Sequence, residues 1–116
     1  MSMHVLFLTT EDGDDLIVSF ALGEHAEKSL TLLRTPKYEY ILPEEERGVS
    51  VSIGASGANA KELLLTVKWG MNLVQIDTTI RHYKLNIQAV QSDEIQEAKL
   101  VLRKMNFDCS FDVVDV

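Results

Sequence analysis

Apolar side chains recur at every second position through most of this chain and at three- and four-residue spacing in one stretch only, so the pattern predicts a sheet with one helix. Residues 3–9 are rich in β-formers, and residues 16–22 form a second apolar run. Asp12-Gly13 between them predicts a hairpin, because both central residues of a type I′ turn need positive φ. After a turn at 23–28, residues 29–34 predict a third strand with Leu30 and Leu32 on one face. Pro36 and Pro43 bracket residues 37–42, where Tyr38, Tyr40 and Leu42 alternate with Lys37, Glu39 and Ile41; flanking prolines suit an edge strand.

Beyond the charged turn at Glu44-Glu45-Glu46, Val49, Val51 and Ile53 alternate with Ser50 and Ser52, the signature of a strand with one wet face. The small residues of 54–60 predict a loop. Leu63, Leu65, Val67 and Trp69 then share a strand parity, and Gly70-Met71 fits a type II′ hairpin leading into residues 72–76. Residues 80–90 predict a further strand, with Tyr83, Leu85, Ile87 and Ala89 on one face and Arg81 at an exposed end.

The helix is expected to start at Ser92 or Asp93 through side-chain capping, with Glu94 and Glu97 near its start and Arg103 and Lys104 near its end complementing the macrodipole. Ile95, Ala98, Val101, Leu102 and Met105 form its apolar stripe. Asn106 suits a left-handed C′ position, and Phe107, Cys109, Phe111 and Val113 alternate in a closing strand that would bury both rings. The fold class expected is α+β: a mostly antiparallel β-meander of about seven to eight strands, curled or a partial barrel, with one C-terminal amphipathic helix and a final strand. No linker or repeat divides residues 1–116, so a single domain is expected. One helix covers only part of one face of such a sheet, so a homodimer is expected to bury the remainder.

Charge changes the functional picture. The formal net charge is −7, and most of the excess lies in the first half. Such a balance repels phosphate backbones, so no nucleic-acid partner is expected, and a protein with a basic surface fits better. No apolar stretch is long enough for a bilayer, and the N-terminus lacks a basic flank and a secretory core, so no membrane association and a cytoplasmic location are expected. Cys109 is the sole cysteine, which excludes an intrachain disulfide, and its parity with Phe107 and Phe111 predicts burial.

Candidate chemistry is sparse. His25 sits between Glu24 and Glu27, the acidic loop at 11–15 lacks the EF-hand spacing, and Gly54-Ala55-Ser56-Gly57 lacks the lysine of a phosphate loop, so no metal and no cofactor are expected. No catalytic constellation is present, and the chain is expected not to be an enzyme. The leading expectation is a non-catalytic protein-interaction module, with Glu44, Glu45 and Glu46 as the contact. Alternatives are a small-ligand-binding protein whose pocket is lined by Trp69, Tyr38, Tyr40 and Tyr83, and an immunity-type antagonist of a basic protein.

Overall fold

Residues 3–23, 25–26, 28–53 and 62–115 are described by the computed structural model. The elements run β1 (Met3–Asp12), β2 (Leu16–Leu22), β3 (Lys28–Arg34), two 3-10 turns (Pro36–Ile41 and Glu44–Glu46), β4 (Ser50–Ile53), β5 (Leu64–Trp69), β6 (Leu73–Thr78), β7 (His82–Asn86), α1 (Ser92–Met105) and β8 (Asp112–Asp115). The eight strands form one open sheet in the order β4-β3-β2-β1-β7-β6-β5-β8.

Neighbours in each meander pair antiparallel, as the short connections within β1–β3 and β5–β7 favour, with β4 joining β3 after the longer connection that carries the 3-10 turns, whereas β1 meets β7 and β5 meets β8 in parallel. The sheet curls: an isolated antiparallel bridge, Ser50 to Leu63, brings the lead-in to β5 beside β4. Val51 N–H donates to the Glu62 carbonyl and Leu64 N–H to the Val49 carbonyl there, each at 2.9 Å.

Both arms therefore face one interior, where Val18, Phe20, Leu30 and Leu32 meet Val67, Trp69, Ile76 and Leu85 in a single cluster. The helix packs on β1 and β2 and closes that cluster with Ala98, Val101, Leu102 and Met105, four of the five stripe residues, while Ile95 is half-buried. Each large side chain removed from water there contributes about 2 kcal/mol. The free edge of β1 is met by α1 as well: Leu8 N–H donates to Glu94 Oε1 at 2.8 Å, and Lys104 pairs with Asp12. Among the described residues, no helix is long and apolar enough to cross a membrane.

Several local expectations are corrected. Residues 37–42 are not a strand: Pro36 presets φ for a helical start, and Tyr38 N–H to the Thr35 carbonyl and Leu42 N–H to the Glu39 carbonyl close 3-10 turns. The first hairpin stands, but Asp12 pairs with Leu16, so its loop is Gly13-Asp14-Asp15 and not a two-residue Asp-Gly turn. At the second, Gly70 N–H donates to the Leu73 carbonyl and places Met71-Asn72 at the tip. A register irregularity between Leu64 and Thr66 flips the strand parity, so Leu64, Val67 and Trp69 point inward and Leu65 is exposed.

The helix is preceded by Gln91 at the cap, with no side-chain capping bond. Asn106 keeps φ −95° and Cys109 takes the left-handed conformation at φ +56°. A turn occupies the start of the expected closing strand: Cys109 N–H donates to the Asn106 carbonyl and Phe111 N–H to Asn106 Oδ1. Strand β8 begins only at Asp112, so Phe111 is buried while Phe107 and Cys109 are exposed. The small-residue stretch 54–60 lies outside the described residues, as do Glu24 and Glu27 beside His25.

Candidate functional site

Strand β3 ends in a residue whose parity sets the site. Leu30, Leu32 and Arg34 alternate on the inner face, and Arg34 follows its leucines into the interior at 2% exposure. A buried guanidinium must have its five N–H donors met. Here Nε and Nη2 donate to the two carboxylate oxygens of Glu39 at 2.6 and 2.9 Å. Nη1 donates to the Met105 carbonyl at 2.7 Å, Asp108 Oδ1 at 2.9 Å and Ser110 Oγ at 3.1 Å, and Nη2 also reaches Asp108 Oδ2 at 2.8 Å.

The Phe107 ring lies 4.2 Å from the guanidinium carbon, which accounts for an exposed aromatic at that position. Burial alone would make Arg34 a weaker base, but the bonds and charges of Asp108 and Glu39 outweigh it and hold its pKa above the usual value. The same guanidinium holds the Asp108 carboxyl down at about 2.

This knot fixes the segment 36–46 across the outside of β3 and β4 like a strap. Glu39 ties its middle to Arg34. Its start is tied to the β1–β2 loop, with Thr35 Oγ1 donating to Asp15 Oδ1 at 2.7 Å and Lys37 lying 3.6 Å from Asp14. At its end the segment folds back on itself, the Nε of the adjoining Arg47 donating to the Leu42 carbonyl at 3.1 Å. Gly48, at φ +134°, turns the chain into β4 through a conformation that L side chains rarely adopt.

Between strap and sheet lies a cleft of 240 Å³ with walls of Leu33, Tyr38, Ile41 and Leu42, and with Glu46 and Ser50 at its polar side. Tyr38, Tyr40 and Ile41 stand 52%, 75% and 67% exposed on a segment tied at its start and middle. Glu44 and Glu45 are exposed beside them, and Glu46 is half-buried against the cleft.

The residues singled out from sequence thus divide. Tyr38, Tyr40, Glu44, Glu45 and Glu46 come together on the strap. Trp69 and Tyr83 are buried in the core, and of the four aromatics Tyr38 alone lines the cleft under the strap. Trp69 packs against Phe20 at a ring separation of 6.5 Å, under the Lys99 ammonium. The Tyr83 hydroxyl donates to Glu62 Oε2 at 2.8 Å; burial first, and then this bond, push its pKa up to about 12. Thr78 Oγ1 donates to the same oxygen at 2.6 Å, and Arg81 lies 3.7 Å from the other.

His82 is exposed and paired with Asp77 at 2.6 Å. No group of three or more His, Cys, Asp or Glu suited to a metal ion occurs among the described residues.

Sequence reasoning missed Arg34 and Glu62. For Arg34 the signal was present in the period-two parity it shares with Leu30 and Leu32. For Glu62, whose partners come from β6 and β7, sixteen and twenty-one positions away, local pattern held none. Searches against protein-family models, characterised proteins and solved structures each returned no match.

Proposed function

We propose that this chain is a non-catalytic protein-interaction module whose docking face is the strap of residues 36–46, and that its partner presents a basic surface. The observation that carries this reading is the set of large apolar side chains, Tyr38, Tyr40 and Ile41, standing in solvent on a short segment pinned to a buried arginine. Leaving such groups in water opposes the hydrophobic effect, and grouped together they make the patch typical of a binding surface. Tyrosine anchors ringed by polar groups are the usual energetic centre of a protein interface. Because the Arg34 knot has already ordered the strap, docking forfeits little further conformational entropy.

The carboxylates set the sign of the partner. Glu44, Glu45 and Glu46 edge the face, while Arg34 is fully occupied by Glu39 and Asp108 and the Arg47 guanidinium donates to the Leu42 carbonyl. Self-association through this face would set the glutamates of two copies against each other, so a cationic partner suits it better than a second copy.

The test is co-purification from host cells with tagged wild type, Tyr40→Ala/Ile41→Ala and Glu44→Gln/Glu45→Gln. A basic partner is expected to stay with wild type, to be captured about tenfold less by the apolar variant, and to be lost from wild type as salt is raised. Equal capture by all three proteins, with circular dichroism unchanged, overturns the reading.

A further inference from the structure

Resting on that docking face, we propose that the cleft beneath the strap receives one lysine or arginine side chain of the partner. The charged groups around the cleft decide the ligand class. Arg34 and Glu39 also line it, yet both oxygens of Glu39 accept from Arg34 and every guanidinium nitrogen is engaged, so neither is left for a ligand. Among the described residues, the Glu46 carboxylate has no hydrogen-bond or ion-pair partner, and it is the one charge on the cleft wall still to be matched.

Of the remaining walls, Leu33, Tyr38, Ile41 and Leu42 are apolar or aromatic, and the uncharged Thr35, Gly48 and Ser50 complete the lining. A site with apolar walls and one carboxylate at its side matches a side chain made of an aliphatic stem and a cationic head. Lysine and arginine bury such stems while keeping the head at a polar rim. An anion finds no free donor cation there, and a purely apolar side chain leaves Glu46 desolvated without a partner.

Titration of the isotope-labelled chain with blocked tripeptides, followed by amide NMR, tests this without the partner. The probes are Gly-Arg-Gly, Gly-Lys-Gly and the neutral analogues carrying citrulline or norleucine at the centre. The cationic peptides are expected to shift the amides of Leu33, Ile41, Leu42 and Glu46 and to bind about threefold more tightly than their neutral analogues, the size of one partly exposed ion pair. Glu46→Gln is expected to erase that preference while leaving the weak binding of norleucine, and Leu33→Ala to weaken both. Shifts confined to other surfaces, equal affinity for charged and neutral peptides, or an undiminished preference in Glu46→Gln overturns the inference. Failure here leaves partner capture through Tyr40 and Ile41 untouched, and failure of capture leaves the titration untouched.

Discussion

Arg34 and Glu62 are the two buried charged side chains among the described residues, at 2% and 3% exposure, and their surroundings differ in kind. Arg34 is answered by charge, through two carboxylates that both reach it, with a carbonyl and a hydroxyl beside them. Glu62 is answered mainly by neutral hydroxyls from Thr78 and Tyr83, with its cation, Arg81, half-exposed at 3.7 Å. One centre fastens an external segment to the core, whereas the other secures the seam where the curled sheet meets itself. The Arg34 centre is the stronger fastening, because a charged pair in bidentate geometry fixes orientation as well as distance.

Breaking the first centre should cost most. Arg34→Met leaves Glu39 and Asp108 facing each other over an unpaired Met105 carbonyl and is expected to lose about 3–5 kcal/mol in chemical denaturation. Hydrogen exchange should also quicken across residues 36–46. If stability falls while strap protection stays at wild-type level, the strap is not hung on Arg34.

Glu62→Gln keeps an acceptor for the hydroxyls but brings two amide donors into a site built for a carboxylate, so a loss of about 1–3 kcal/mol is expected with strap exchange unchanged. A matching change in the strap would show that the two centres are not independent.

Titration sharpens the contrast with smaller effects, since the surrounding groups stay in place. The Asp108 carboxyl is lowered from 3.8 to about 2 in the folded chain, so its contribution is present above that range and is lost as pH falls through it. Tyr83 is raised from 10.0 to about 12, so its contribution is complete below pH 10 and fades as pH climbs toward 12. Acid should therefore loosen the strap first and alkali the seam, which exchange on the two segments would separate. Asp108 is 42% exposed at its side chain, so water screens its arm and the acid effect is the weaker.

Much of the architecture was legible because it rests on period. The stripe Ala98, Val101, Leu102 and Met105 identified the helix, and alternation located most strands. What was not legible depends on partners distant in sequence. Six residues between two prolines alternate equally well in a strand or in 3-10 turns, and the bonds of Glu39 to Arg34 accompany the latter. The irregularity in β5 shifted a parity that the letters alone repeat faithfully. Phe107 read as core because apolar side chains usually are, yet it covers a guanidinium supplied by β3. At the site, the glutamates lie at the surface where sequence suggested a contact, whereas Tyr38 and Tyr40, expected to line a pocket, stand on the same exposed segment.

The knot at Arg34 also has a consequence for timing. It joins β3 and the strap to Met105, Asp108 and Ser110, just as β1 reaches across to pair Met3 with Leu85. The first four strands are local and can assemble while synthesis is still under way, but closures between distant segments are slow because loop entropy is lost before they form. The contacts of Met105, Asp108 and Ser110 with Arg34 are consequently among the last to form, whereas Glu39 meets Arg34 within five positions. A nascent or partly unfolded chain displays the same tyrosines and glutamates without the completed knot, so under the function proposed above, recognition through the strap would report that folding is complete.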